Sequence, residues 1–161
     1  LHGPSVPIGW AADDLQAWTA MEELQPSGQA RLIGVSNVSA DQLDELVAAA
    51  SVPPAGVQNR CFTRPHADAA VREACVRHGI VYEGFSLLTG HRLVTHAVVQ
   101  AAGARTGATA AQVVFAYCLA RGLHVLTGTT SREHMADDLV APAVALTPDE
   151  LHAMDAILGW S

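Results

Sequence analysis

Lysine is absent from the 161 residues, and all nine basic side chains are arginine. The sequence therefore offers no lysine nucleophile, Schiff base or lysine proton relay. Positive charge is scarce, and the formal net charge of −7 at pH 7 argues against nucleic acid or an anionic membrane surface as the main partner. No apolar run is long enough to cross a membrane.

Cysteine is also scarce, and its spacing excludes the usual cysteine frameworks. Cys61, Cys75 and Cys118 are odd in number, widely separated and without a C-x-x-C pair. This pattern favours reduced thiols in a cytoplasmic protein over a disulfide scaffold or a zinc site. The eight histidines form no H-x-x-x-H or similar cluster. We therefore predict no metal site.

Half of the residues are hydrophobic, and they fall into two alternating patterns. Short runs rich in Val, Ile and Leu predict strands, and segments with apolar residues at helical spacing predict helices. This alternation is typical of an α/β fold with parallel strands and crossover helices, and the length suggests one domain over 1–161. The predicted strands are 31–36, 56–62, 80–88 and 123–130, and the predicted helices are 12–24, 39–50, 66–79, 96–107, 109–122, 131–140 and 146–159.

Polar or aromatic side chains recur where the predicted strands stop. Ser36 and Asn37 follow the first strand, and turn formation or helix capping would explain them individually. Ligands of parallel α/β folds bind at the carboxyl ends of strands, however, and the repetition favours one ligand-facing edge. The candidate residues at this edge are His2, Ser36, Asn37, Gln58, Phe85, Ser86, Thr129 and Thr130.

Several motifs in their shared order resemble the aldo-keto reductases: "LHGP", "GVSNVSADQLDEL", "VQNR", "HGIVYEGFSLL", "LTGTTSREHMADDL" and "LTPDELHAMDAI". Members of that family are (β/α)8 barrels that bind a nicotinamide dinucleotide, usually the phosphorylated form. The resemblance runs from the end of the fourth strand of such a barrel onward. Because a complete barrel needs roughly 250 residues, it implies a partial TIM-type barrel whose amino-terminal strands are missing.

The resemblance implies one catalytic residue in this chain. The family uses an aspartate, a tyrosine that donates the proton, a lysine and a histidine, and only the histidine matches, as His2 in its "LH-x-P" setting. Its implied role is to orient the substrate carbonyl and assist proton transfer. Tyr82 and Tyr117 cannot replace the family's tyrosine, because one lies within a predicted strand and the other within a predicted helix.

The cofactor positions of the family are better represented. Ser36, Asn37 and Gln58 match the contacts to the nicotinamide carboxamide, which needs both donors and acceptors. Phe85 stands where the family usually has a tyrosine stacked on the ring, and a phenyl face stacks equally well. The following loop is implied to meet the pyrophosphate through Ser86 and Leu88.

The positions for the adenosine end differ more from the family. A lysine, a serine or threonine, and an arginine commonly grip the 2′-phosphate, and here they correspond to Gly128, Thr129 and His134. Asp138 falls near the adenine. Because two cationic phosphate ligands are lost, we expect weaker selectivity for NADP or the use of NAD.

Two functions from different classes fit these residues. The first is an aldo-keto reductase that reduces an aldehyde or ketone, with Trp10 at the substrate pocket or packed at the surface, and with this chain an inactive fragment. The second is a non-catalytic, nucleotide-binding half-barrel whose open sheet edges promote self-association, with a dimer as one outcome. A truncated gene product without its own function is the third reading, and the absence of an initiator methionine favours truncation.

Overall fold

The computed structural model describes residues 1–62, 65–89 and 93–160. Within these ranges short strands alternate with helices. Along the chain they are α1 (Ala12–Glu22), β1 (Gly34–Ser36), α2 (Ala40–Ala49), β2 (Gly56–Arg60), α3 (Ala69–His78), β3 (Val81–Phe85), α4 (Ala97–Thr106), α5 (Ala110–Ala120), β4 (His124–Val125), α6 (Arg132–Val140) and α7 (Pro148–Leu158), with short 3-10 segments at Pro65–Asp68 and Ala141–Ala143.

The strands form a sheet in the order β1-β2-β3-β4. β1 pairs with β2 in parallel, with Val35 opposite Val57. A Cβ atom on Gly34 would lie 2.7 Å from the carbonyl oxygen of Gly56, so the approach of the two strands at this level requires glycine. Parallel strands connected through helices are the architecture that the alternating pattern predicts. The prediction of an α/β fold is confirmed.

The described chain forms two compact units, and the first comprises Leu1–Asn59 and Ala69–Glu83. Its α2 begins at the N-cap Ser39, whose hydroxyl accepts from the Gln42 N–H, and it buries Leu43 and Leu46 on one face. Each fully buried leucine contributes about 1.5–3 kcal/mol of burial free energy. The core of this unit includes Trp18, Ile33, Val35, Val38, Leu43, Leu46, Val57, Val71 and Ala74.

Leu1 hydrogen bonds to β1 in the pattern of a parallel ladder. Its nitrogen donates to the Gly34 carbonyl (2.7 Å), and its carbonyl accepts from the Ser36 N–H (2.9 Å). These two bonds flank Val35 on either side, as in a parallel pair of strands. His2 therefore follows directly after a strand-like contact with β1.

The second unit comprises Arg60–Asp68 and Gly84–Ser161. Its central helix is α5, which is buried on nearly all sides from Val113 to Cys118, as expected for a helix that is hydrophobic all round. α7 begins with a capping box, in which Thr147 and Glu150 bond to each other's backbone N–H groups, with Pro148 in the first turn.

Two predicted strand ends differ from the structure. Gln58 lies within β2 rather than after it. The predicted strand 123–130 is assigned only over His124–Val125, and Leu126 makes its last sheet bond, from its N–H to the Gly84 carbonyl. The following residues turn toward α6, where Thr129 Oγ1 accepts from the Ser131 N–H (3.1 Å), and Ser131, the N-cap of the helix, accepts from the His134 N–H (3.3 Å).

Within the described ranges, no helix combines the length and apolar character needed to span a membrane. Cys61, Cys75 and Cys118 are buried thiols.

Candidate functional site

Four of the predicted site residues are joined by direct hydrogen bonds in the first unit. The Ser36 hydroxyl donates to the Gln58 carbonyl (2.6 Å), and Asn37 Nδ2 donates both to the His2 carbonyl (2.9 Å) and to Ser36 Oγ (3.0 Å). The Asn37 N–H also donates to the Gln58 carbonyl (3.1 Å). We call these residues, His2, Ser36, Asn37 and Gln58, the Ser36 cluster.

Asn37 adopts a left-handed backbone conformation, with φ at 56°. Asparagine tolerates this conformation better than most residues, which suits it to the sharp turn after β1. Asn59, which is fully buried, holds the same turn from the other side. Its Oδ1 accepts from the Val38 N–H (3.1 Å), and its Nδ2 donates to the Val38 carbonyl (2.8 Å).

The Ser36 cluster leaves a specific set of polar atoms for a ligand. Both Asn37 Nδ2 hydrogens are used internally, which leaves Oδ1 as an acceptor. Gln58 Nε2 donates to the Glu83 carboxylate (3.2 Å), which leaves its Oε1 as an acceptor. Two amide acceptors match the NH2 group of a primary carboxamide. These two acceptors have the chemistry to bind the carboxamide that the family resemblance implies.

The chain after His2 packs closely on the Ser36 cluster. A Cβ atom on Gly3 would lie 3.0 Å from the Ser36 carbonyl oxygen and 3.3 Å from Asn37 Cβ. The His2 side chain is exposed, so its imidazole is accessible to a ligand.

The Trp10 indole bonds to α2 and not to a residue of the Ser36 cluster. Its indole N–H donates to the Gln42 carbonyl in α2 (2.8 Å), so only the half-exposed ring surface remains for a substrate. This arrangement is compatible with either of the two roles considered for Trp10, substrate contact or surface packing.

Three side chains that support this region were not predicted as functional residues. Gln42 bonds to the loop after His2, Asn59 holds the turn after β1, and Glu83 accepts from Gln58. The sequence signal for Gln42 is its position three residues after Ser39, which is the position of a capping-box side chain. Asn59 and Glu83 give no local signal beyond a polar residue within a predicted strand.

In the second unit, Phe85 ends β3 with its ring half-exposed. The Arg60 guanidinium carbon lies 5.3 Å from the Phe85 ring centroid, a cation–π distance. Ser86 follows with a left-handed backbone, φ 58°, and its carbonyl accepts from the Thr89 N–H (3.3 Å). Leu88 is 38% exposed in the same turn. Phe85, Ser86 and Leu88 thus lie within one short segment.

Thr129 and Asp138 line one cavity of about 730 Å³ between β4, α5 and α6. The Asp138 carboxylate accepts from the Thr127 hydroxyl (2.9 Å) at the polar edge of this cavity. His134 is exposed on α6 and is not part of the cavity lining. The apolar lining comes from Phe115, Leu119, Val125, Met135, Leu139, Ala141 and Pro142.

Neither tyrosine is available for proton donation to a ligand. Tyr117 is fully buried in α5, and its hydroxyl donates to Asp155 Oδ1 (2.8 Å). Burial, followed by this hydrogen bond to a carboxylate, raises the pKa of Tyr117 well above its ordinary value. Tyr82 is 6% exposed within β3. Among the described residues, no group of three or more His, Cys, Asp or Glu side chains is arranged to hold a metal ion.

The chain is similar in sequence to known oxidoreductases. A 7-acetyl-epi-neemfruitin B aldo-keto reductase from Melia azedarach is 32% identical over 148 residues, which cover 87% of this chain and 46% of that protein. Pyridoxine 4-dehydrogenase from Escherichia coli (strain K12) is 31% identical over 159 residues, covering 97% and 53%. The chain thus spans about half the length of these relatives.

Solved structures show the same fold. The apo form of Gox0644 superposes with a TM-score of 0.81 at 26% identity, covering 89% of this chain and 52% of that one. The aldo-keto reductase AKR2E5 complexed with NADPH superposes with a TM-score of 0.79 at 21% identity, covering 89% and 47%, and this likeness shows the fold alone. The sequence profile described as the aldo/keto reductase family matches residues 3–159. The resemblance seen in the motifs is therefore confirmed, and the chain belongs to the aldo/keto reductase family.

Proposed function

We propose that this chain is the carboxyl-terminal part, and a single domain, of a reductase that uses a nicotinamide cofactor to reduce an aldehyde or ketone. The observation that carries the proposal is the Ser36 cluster, whose two remaining amide acceptors suit a carboxamide. When bound, the cofactor supplies a hydride. Membership of the aldo/keto reductase family supports a nicotinamide dinucleotide here, and AKR2E5, an aldo-keto reductase, has been solved in complex with NADPH.

The Ser36 cluster would bind the carboxamide and thereby orient the nicotinamide ring. Asn37 Oδ1 and Gln58 Oε1 accept from the amide NH2, and the hydrogen bonds of Ser36 keep the turn after β1 in place. Fixing the amide fixes the ring face that is presented to the substrate, a positioning effect. In the second unit, the Phe85 ring would stack on a nicotinamide, and Ser86 and Leu88 would border the pyrophosphate.

The cavity between β4, α5 and α6 would take the adenosine end. Its apolar walls suit a purine, and Asp138 and Thr129 supply polar atoms at its edge. Gly128 and the exposed His134 replace two cationic side chains of the family. We therefore propose that NADH and NADPH bind with affinities that differ by less than about tenfold, because no strong pairing to the 2′-phosphate is built in.

His2 would donate a hydrogen bond to the substrate carbonyl oxygen from its exposed imidazole. The Trp10 ring would provide an apolar wall for the substrate, since its N–H is already bonded to Gln42. The substrate that we propose is a small carbonyl compound, and the proposed location is the cytoplasm. We propose no role for nucleic acid or membranes.

We propose that the chain alone does not turn over substrate. It contains no lysine, and Tyr117 is buried and bonded to Asp155. The same observations favour a second candidate, a nucleotide-binding half-barrel that binds the cofactor without catalysis. The open sheet edges of such a half-barrel would promote self-association, for example as a dimer.

Titration with NADH and NADPH tests the proposal. We expect dissociation constants below about 1 mM for the wild-type chain. Ser36→Ala is expected to weaken NADH binding about fivefold, because the hydroxyl holds the cluster together. The same samples, given an aldehyde, should show no loss of NADH absorbance beyond the background.

Ser27→Ala is the matched control, since Ser27 Oγ also donates to a backbone carbonyl, that of Leu24, but on an exposed loop. It should bind NADH as the wild type does. If neither dinucleotide binds at 1 mM, the proposed cofactor site is wrong and only the fold assignment stands. Aldehyde reduction at a rate typical of the family would overturn the predicted lack of turnover.

A further inference from the structure

The loop 3–11, which we call the His2 loop, makes two hydrogen bonds with the buried side chain of Gln42. Gln42 is 3% exposed, and its Nε2 donates to the carbonyls of Val6 (3.1 Å) and Gly9 (2.8 Å). Both amide hydrogens of Gln42 are thus used on the loop. The Trp10 indole N–H returns a bond to the Gln42 carbonyl (2.8 Å).

The His2 loop is also held by Asp14 in α1, through residues other than those that Gln42 contacts. One carboxylate oxygen, Oδ2, accepts from the Ser5 N–H (2.8 Å), the Ser5 hydroxyl (2.9 Å) and the Ala11 N–H (3.3 Å). These hydrogen bonds, that from the Ser5 N–H first, lower the pKa of Asp14. Two side chains, Gln42 and Asp14, therefore fix the loop at several points along its length.

Gln42 also belongs to the element that begins just after the Ser36 cluster. Its Oε1 accepts from the Ser39 N–H (3.0 Å), which closes the capping box of α2 two residues after Asn37. The His2 loop starts against the same turn, since the His2 carbonyl accepts from Asn37. One side chain thus connects the start of α2 to the far part of the loop.

Helix capping alone does not require a glutamine at this position. α5 uses Gln112 for its capping box, whereas α7 uses Glu150, so either side chain caps a helix in this chain. Only an amide can also donate to the two carbonyls of Val6 and Gly9. A glutamate at position 42 would keep the cap and set a carboxylate oxygen against two carbonyl oxygens.

We propose that Gln42 is a positioning residue that couples the His2 loop to the Ser36 cluster and so holds the nicotinamide end of the cofactor site in its binding geometry. The inference rests on the proposed function for its ligand. The coupling between the His2 loop and the Ser36 cluster does not depend on a bound dinucleotide.

The variant Gln42→Glu separates the coupling from helix capping. We expect it to raise the dissociation constant of NADH about tenfold, because two hydrogen bonds that fix the loop are lost. ADP-ribose lacks the nicotinamide, and its dissociation constant should stay within about twofold. A general loss of folding would weaken both ligands together, so this split distinguishes positioning from a merely structural role.

Gln100→Glu is the matched control, because it makes the same change of charge and loses a bond to a backbone carbonyl, that of Val94 (2.8 Å), on an exposed surface. It should change neither dissociation constant. Equal weakening of NADH and ADP-ribose by Gln42→Glu, or no weakening of either, would overturn the inference.

Amide hydrogen exchange decides the coupling without any ligand. In Gln42→Glu the Ser36 and Asn37 amides should exchange about tenfold faster, while the Leu43 and Leu46 amides of the capped helix keep their protection. Unchanged exchange at Ser36 and Asn37 would overturn the coupling. If the wild type binds neither NADH nor ADP-ribose, the proposed function fails, and the exchange data alone still decide for or against Gln42.

Discussion

At the scale of single residues, Asn59 shows how one buried side chain sets the backbone near a site. It satisfies both the N–H and the carbonyl of Val38, at 3.1 Å and 2.8 Å. We expect Asn59→Leu to lower the free energy of unfolding by about 2–4 kcal/mol, because leucine has a similar size but makes neither bond in a buried setting. Urea unfolding followed by circular dichroism measures this change.

Gln100→Leu is the control for that substitution, since Gln100 makes its bond at an exposed position. Its free energy of unfolding should stay within about 0.5 kcal/mol of the wild type. A similar small effect for Asn59→Leu would show that the Val38 groups find other partners at little cost.

The contacts of Asn59 and Gln42 lay beyond prediction from the sequence. Asn59 bonds to Val38, 21 residues away, and Gln42 bonds to backbone carbonyls 33 and 36 residues away. A helical or strand pattern gives the side of an element on which a residue lies, not the distant carbonyl it meets. Ser36 and Asn37 were predictable because turn chemistry after a strand is local.

At the scale of elements, α4 and α7 are joined by a bidentate ion pair. Arg105 Nε and Nη2 donate to the two carboxylate oxygens of Glu150, at 2.8 Å and 2.6 Å, and Arg105 also bonds to the Ala145 carbonyl. The hydrogen bond from Arg105 has the largest effect and lowers the pKa of Glu150 from 4.5 to about 2, while burial opposes this shift and the Thr147 N–H adds a smaller lowering. The carboxylate is therefore favoured in the folded state.

This shift predicts the direction of a pH dependence. Because the folded pKa lies below the unfolded one, the pair stabilises the fold above pH 4.5, and this contribution is lost as the pH falls toward 2. We expect Glu150→Gln to destabilise by about 1 kcal/mol or less at pH 7, since Arg105 is largely exposed and solvent screens the pair. The difference from the wild type should shrink between pH 4.5 and 2, measured by unfolding at each pH.

Asp149→Asn provides the comparison, because Asp149 is the exposed neighbour in the same first turn of α7. The free energy of unfolding of this variant should change with pH on the acid side in the same way as that of the wild type. A Glu150→Gln curve that stays parallel to the wild type from pH 7 to pH 2 would exclude the ion pair as the source of this acid dependence.

Element boundaries followed the sequence at the capped helix starts, whereas the length of β4 did not. α2, α5 and α7 begin after the cap residues Ser39, Thr109 and Thr147. β4 is much shorter than its apolar pattern predicts, because strand length depends on the neighbouring strand and not on composition alone. Because β4 ends at Val125, Thr129 lies beyond the strand rather than at its end.

At the scale of the whole molecule, the order of motifs predicted more than any single feature. Composition and alternation indicated an α/β fold, and only the series of motifs from "LHGP" to "LTPDELHAMDAI" indicated the family. The extent of the cavity of about 730 Å³ was not predictable, because most of its lining comes from apolar side chains of α5, β4 and α6, and only Gly128, Thr129 and Asp138 were expected at a ligand site.

The self-association that we propose would involve the chain as a whole, and apolar surface next to β4 would support it. Among the described strands, β4 stands at the end of the strand order, where an edge strand can pair with a second copy of the chain. On the following α6, Met135 and Leu139 are one turn apart and 49% and 81% exposed. Together with Val125 they line the same cavity, so the apolar surface is continuous with the edge strand.

We expect the 16.9 kDa chain to form species larger than the monomer as its concentration rises, and Leu139→Glu to shift the distribution toward the monomer. The reason is that a charge on this surface must be desolvated before two copies can meet. Ile8→Glu is the matched control, because Ile8 is 86% exposed on the His2 loop and the change in charge is the same. Light scattering coupled to size exclusion measures the mass. A monomer at every concentration contradicts self-association, and equal effects of both variants would mean that net charge rather than the α6 surface controls it.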